Sequence, residues 1–173
     1  SAAMSISVFD LFTIGIGPSS SHTVGPMRAA AQFLNQLEER GQFATVVRIK
    51  VEMFGSLGLT GKAHGSEKAV LCGLEGDTPP GIDVESIELR LNEMRQQKTL
   101  NLGGKKPIAF HEKNDLIFHR RRVLPAHPNG MLFQAFDNTG EVLHSYEVYS
   151  IGGGFVVAAD EVDKKNVLDQ HRK

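Results

Sequence analysis

The sequence predicts an α+β fold, with helices packed on one face of a mixed, largely antiparallel sheet. Three observations predict it. Apolar residues recur at helical spacing through most of the first half of the chain. Strand-like alternation and hairpin signals dominate the second half. The early strand between them alternates apolar and charged residues, so it is buried on one face and wet on the other.

In order, residues 6–12 read as a short helix or extended arm. Residues 27–40 form the first helix, with Met27, Ala30, Ala31, Leu34 and Leu37 on one face and Gly41 at its end. Pro26 suits a first turn, where its missing N–H costs nothing, and Thr23 or a neighbouring hydroxyl is placed to cap. Residues 46–54 are a strand in which Val47, Ile49, Val51 and Met53 alternate with Arg48, Lys50 and Glu52, unlike the centre of a parallel sheet. Residues 55–66 read as a glycine-rich loop. Ser66 can cap a second helix running to about residue 75, with Glu67 in its first turn and Gly76 at its end. Residues 78–81 are a turn, and Asp83 opens a third helix with Val84, Ile87, Leu91 and Met94 on one face. Residues 96–106 read as a polar loop. Strands follow at 107–110 and 116–120, then at 131–136 and 142–149, the last two joined by the hairpin signal Asp137-Asn-Thr-Gly140. Three glycines, 152–154, precede a last strand at 155–159, and the remaining tail is polar.

Composition excludes several classes. Nineteen Lys and Arg balance twenty Asp and Glu, for a net charge of −1. The densest cationic run, His119-Arg-Arg-Arg122, is short and flanked by apolar residues, so it reads as a strand end rather than a nucleic-acid footprint. No apolar run is long enough to span a membrane and no signal peptide is visible, so no membrane partner and a cytoplasmic setting are expected. Residues 1–3 look like a cloning scar, 4–160 like one domain, and 161–173 like a polar tail or linker. The single cysteine, Cys72, lies in an apolar helical stretch and excludes an internal disulfide or a multi-cysteine metal site within this chain. No metal ligands are assigned here.

The stretch Gly15-Ile-Gly-Pro-Ser-Ser-Ser-His-Thr-Val-Gly-Pro26 is the most informative. It leads directly into a helix, whose N-terminus carries partial positive charge and unpaired N–H groups. Ser19, Ser20, Ser21, Thr23 and His22 there would suit a small carboxylate or phosphate, although a plain capped helix with a serine-rich lead-in explains the composition equally well. The 55–66 segment fails as a phosphate loop, because its glycines are one residue too far apart and Ala63 stands where Ser or Thr would hold magnesium. The first loop fails as a dinucleotide fingerprint, lacking the third glycine and a preceding strand. A Ser–His hydrolase is disfavoured because no Gly-x-Ser-x-Gly elbow is present. Among seven histidines, His111, His119, His144 and His171 take structural or solvent-facing roles by default, and His127 in its turn is ambiguous. His22 and His64 each occupy a polar loop just before a helix, which suggests one shared pocket.

These residues carry a resemblance. Ser7-Val-Phe-Asp-Leu-Phe12, the 14–27 stretch, Phe54-Gly-Ser-Leu57, Leu59-Thr-Gly-Lys-Ala-His-Gly65, His127-Pro-Asn-Gly-Met131 and Tyr149-Ser-Ile-Gly-Gly-Gly-Phe155 occur in the order found in bacterial iron–sulfur-dependent L-serine dehydratases. The chain resembles the β domain of that family, whose fold is similar to the allosteric substrate-binding domain of phosphoglycerate dehydrogenase. The resemblance implies conversion of L-serine to pyruvate and ammonia. It also implies a partner α domain that holds a 4Fe–4S cluster acting as Lewis acid on the substrate hydroxyl, with none bound by this chain, since one cysteine cannot hold such a cluster. It implies His64 as the α-proton base, and His22 as the group that orients the base or the substrate carboxylate. It further implies Ser19, Ser20, Ser21 and Thr23 around that carboxylate, with Thr60 and Lys62 as further members of the pocket. A homodimer is expected, and the isolated chain is expected to be inactive. The alternative is a regulatory module that senses serine or an anion. Two positions depart from the family's loop: Ala63 replaces Gly, which puts the backbone there in question, and Ser66 replaces Thr.

Overall fold

The computed structural model describes residues 21–78 and 84–162. Its elements are α1 (Val24–Glu39), a short 3₁₀ turn (Phe43–Thr45), β1 (Arg48–Met53), α2 (Gly55–Thr60), α3 (Ser66–Leu74) and α4 (Val84–Gln97). Then come β2 (Thr99–Leu102), β3 (Lys106–Ala109), the single turn α5 (Glu112–Asp115), β4 (Leu116–Phe118), β5 (Gly130–Phe136), β6 (Val142–Gly152) and β7 (Phe155–Ala158). The expected arm at 6–12, the Asp83 helix start, most of the 78–81 turn and the tail beyond 162 lie outside the described residues.

Five strands form one sheet in the order β4-β1-β5-β6-β7, and β2 and β3 pair as a separate hairpin. Only β1 and β4 run parallel; β1–β5, β5–β6 and β6–β7 are antiparallel. The alternation in β1 places Ile49, Val51 and Met53 fully inside, while Arg48, Lys50 and Glu52 are half-buried on the opposite face. Burying each apolar side chain of this kind stabilises the fold by about 1.5–3 kcal/mol. The expected strand start at residue 46 is corrected to Arg48: Val47 is 43% exposed and precedes the ladder, whereas Val46 is buried.

Helix α1 lies over the buried face, against β5, β6 and β7, and packs beside α3. Phe33 meets Phe133 with ring centroids 5.4 Å apart, Tyr146 Oη donates to Gln32 Oε1, and His144 Nε2 pairs with Gln36 Oε1 at 2.7 Å. The helix begins one turn earlier than the apolar spacing suggested. Met27 N bonds Thr23 O at 3.1 Å, so Pro26 falls in the first turn, where no N–H partner is needed.

Two further segments differ from expectation. The glycine-rich 55–66 segment contains a helical turn, α2, because Leu57 is fully buried and tertiary packing outweighs the poor helix propensity of its two glycines. The 96–106 segment is not simply a polar loop. Leu100 and Leu102 are buried in β2, joining Ile108 and Phe110 and the α4 residues Ile87, Leu91 and Met94 in the core.

Candidate active site

The sheet register brings distant segments to one end. β1 ends where β5 begins, with Met53 opposite Met131, and Gly130 faces Tyr149 on β6. Residues 54–56, 128–130 and 149–150 therefore share an edge, and the start of α1 is tied to it: Ser150 Oγ donates to Ser21 O at 2.6 Å. On the other side, Ser66 Oγ at the start of α3 donates to His22 O at 2.5 Å. Ser66 thus spends its hydroxyl on the neighbouring loop, and Gly65, not Ser66, occupies the N-cap position of α3.

His22 is the buried centre, 8% exposed. Its Nδ1 lies 2.9 Å from Ser21 Oγ, and its Nε2 lies 3.2 Å from Thr60 Oγ1 and 3.3 Å from Ser56 Oγ. Thr60 Oγ1 donates its own proton to Ser56 O at 2.8 Å, so towards the imidazole it can only accept. The network therefore assigns the ring proton to Nε2 and makes Nδ1 the acceptor for Ser21. Burial lowers the pKa of His22, and the positive charge available on His64 lowers it further, against a smaller opposing effect of Ser56. Burial thus favours the neutral ring, and the hydroxyls orient it.

His64 stands beside it edge-on, with ring centroids 5.1 Å apart. Its backbone N–H closes the turn onto Thr60 O and Gly61 O, both at 3.1 Å. Among the described residues its half-buried ring has no hydrogen-bond partner, so its nitrogens remain available for a proton. Ala63 sits in ordinary backbone, since Lys98 is the only non-glycine with positive φ among the described residues.

The pocket expected from the sequence is thus partly assembled. Ser21, His22, Thr60 and His64 come together. Thr23 is buried at the N-cap position of α1 without a side-chain capping bond. Lys62 is exposed and lines a different cleft, with Glu67, Arg95 and Glu112. Ser19 and Ser20 lie outside the described residues.

The family model for the serine dehydratase beta chain matches residues 7–161. The chain belongs to that family. It is 49% identical over 165 residues to an L-serine dehydratase of Streptomyces coelicolor, covering 95% of this chain and 36% of the relative. It is 51% identical over 154 residues to an L-serine dehydratase of Mycobacterium bovis, covering 89% of this chain and 33% of the relative. It is 45% identical over 153 residues to L-serine dehydratase 1 of Escherichia coli, covering 88% and 33%. This beta chain therefore spans about a third of the length of the curated relatives it matches.

Three residues of the beta chain's pocket, Ser56, Asn129 and Ser150, carry no signal of their role in the sequence, and Ser66 clamps His22 O rather than capping α3. The segments around them are distinctive, but only the sheet register shows that they meet. Gly55 fixes the wall between two of them. Its φ is +59°, and a Cβ there would lie 1.9 Å from Pro128 O, whose carbonyl accepts Ser56 N–H at 2.8 Å.

The residues of this beta chain do not fit an iron–sulfur cluster. Its one cysteine is buried, and burial pushes the Cys72 thiol up to about 11, far from the thiolate that iron requires. Among the described residues no group of three His, Cys, Asp or Glu side chains could hold a metal ion. Among them, too, no helix is long and apolar enough to cross a membrane.

Proposed function

We propose that this beta chain supplies one side of the active site of an L-serine dehydratase, which converts L-serine to pyruvate and ammonia. The observation that carries the reading is the division of labour between two adjacent imidazoles. His22 has both ring nitrogens engaged by hydroxyls, whereas His64 has neither engaged among the described residues. A saturated ring positions; an available one can take a proton.

On this reading His64 removes the α-hydrogen of L-serine as a proton, and His22 fixes the side of the pocket against which His64 packs. Ser19 and Ser20, with the first amides of the 16-residue helix α1, receive the substrate carboxylate, while Ser21, its hydroxyl proton spent on His22 Nδ1, holds the imidazole beside them. Thr23 and Thr60 support that loop, and Lys62 contributes only if the 61–65 turn rearranges. The hydroxyl leaves as water, and the resulting enamine is hydrolysed to pyruvate and ammonia. The 4Fe–4S cluster implied by the resemblance belongs to an α domain, a partner within the two-thirds of the relatives' length that this chain does not cover. The reading includes a cytoplasmic, homodimeric enzyme of amino-acid catabolism.

The test is complementation. This chain alone is expected neither to bind L-serine in calorimetry nor to form pyruvate, and to support pyruvate formation when joined to the remaining two-thirds of the protein. L-serine binding to the isolated chain that His22→Ala or His64→Ala abolishes, without any turnover in the complete protein, would replace this reading with a regulatory sensor.

A further inference from the structure

A closed ring of bonds surrounds His22, and one member of the ring carries an unused group. From His22 Nε2 the ring passes to Ser56, whose backbone N–H is held by Pro128 O at 2.8 Å. The next residue, Asn129, accepts Ser150 N–H on its carbonyl at 2.9 Å, and Ser150 Oγ donates to Ser21 O at 2.6 Å. Ser21 Oγ returns to His22 Nδ1. Asn129 N–H is spent on His127 Nδ1 at 3.0 Å. Its backbone is therefore fully engaged and its position fixed on both sides. Its side-chain oxygen Oδ1 is buried and, among the described residues, has no hydrogen-bond partner.

A buried carboxamide oxygen without a donor costs about 1–3 kcal/mol. Such a group calls for an explanation, and a ligand that supplies the missing donor is one. Of the ring's serines, Ser21 and Ser150 spend their hydroxyl protons on His22 Nδ1 and Ser21 O, which leaves the Ser56 hydroxyl and the first amides of α1 as donors for a carboxylate. What they otherwise lack, among the residues that hydrogen-bond within this ring, is an uncommitted acceptor for a cation. We propose that Asn129 Oδ1 receives the α-ammonium group of an amino-acid substrate, and so distinguishes it from a hydroxy acid of the same shape. The inference rests on the dehydratase reading above and deepens it.

The experiment uses the complete enzyme. It compares KM for L-serine with competitive inhibition by 3-hydroxypropionate, which keeps the hydroxyl and carboxylate but lacks the ammonium group. Asn129→Leu removes the acceptor at similar volume, and Asn129→Asp keeps it and adds a negative charge. The Leu variant is expected to weaken L-serine by about ten- to a hundredfold, as for a bond to a charged group, and to leave 3-hydroxypropionate within about twofold. The Asp variant is expected to shift the preference the other way, towards the ammonium-bearing ligand. If Asn129→Leu does not fold, the Asp variant alone decides. An unchanged preference in whichever variant folds overturns the inference, whether both ligands weaken together (a structural role, or a donor supplied by the partner domain) or neither does. Absence of serine turnover in the unsubstituted complete enzyme would instead defeat the dehydratase reading itself.

Discussion

Gly55→Ala tests the wall of the pocket most severely, and its cost can be worked from the structure. Gly55 sits at φ +59°, and an added Cβ would lie 1.9 Å from Pro128 O and 2.9 Å from Pro128 C, both backbone atoms that no rotamer change can move. The left-handed conformation alone costs an L-residue roughly 1–2 kcal/mol. Relieving the overlap means separating the 127–130 loop from α2, which threatens Ser56 N–H to Pro128 O and Gly55 N–H to Arg122 O, at 2.8 and 2.7 Å. Each lost bond adds about 1 kcal/mol, for a total of roughly 3–4 kcal/mol. At about 2–4 °C per kcal/mol for a chain of this size, the midpoint of thermal unfolding should fall by roughly 10 °C. Gly140→Ala is the internal control. Its φ is +86° but nothing lies within 4 Å, so it should lose only the conformational part, a few degrees by the same conversion. Circular dichroism melts of the two variants, run side by side, decide the matter. Equal losses would refute the close approach of Gly55 to Pro128 and, with it, the fixed wall beside His22.

Three further outcomes are expected. Nitrogen-detected NMR should find the His22 proton on Nε2 and the ring more than half neutral at pH 6.5, because burial and then His64 lower its pKa from that value; an Nδ1–H ring would overturn the hydrogen-bond assignment. In the separate cleft, burial first, then hydrogen bonding to and repulsion from Glu112, raises Glu67 to about 7, with Arg95 and Lys62 opposing. Folded Glu67 holds its proton to higher pH than it does unfolded, so its contribution is fully present below its ordinary value of 4.5 and is lost as pH rises through about 7. Glu67→Gln should therefore leave stability unchanged near about pH 4 and raise it near about pH 8.5, which urea unfolding at the two pH values checks. Finally, Cys72, buried and pushed up to about 11, should resist a thiol reagent near neutral pH in the folded chain and react at once in denaturant.

Much of the fold was legible because its periodicities are local. The alternation Ile49, Val51, Met53 needed only the two-residue repeat of a strand, and the α1 face only the helical repeat. Segments decided by tertiary contact were not. Residues 55–60 hold two glycines, and only burial of Leu57 against the sheet makes them helical. β2 offers just Leu100 and Leu102 amid polar residues, and their burial depends on a hairpin partner and on α4. At the site, His22 and His64 could be paired because both precede helices in similar loops. Asn129 and Ser150 could not, since sheet register alone carries them to the same edge. Lys62 illustrates the limit of proximity in sequence: two residues from His64, it emerges from the same tight turn towards Glu67 and Glu112 instead.

The most direct test of the central claim is steady-state turnover of L-serine by the complete enzyme carrying His64→Ala. Loss of a positioned base predicts a fall in kcat of about a hundred- to ten-thousandfold, with KM changed only a few-fold. A kcat within about threefold of the unsubstituted enzyme would contradict the claim and remove His64 from the chemistry.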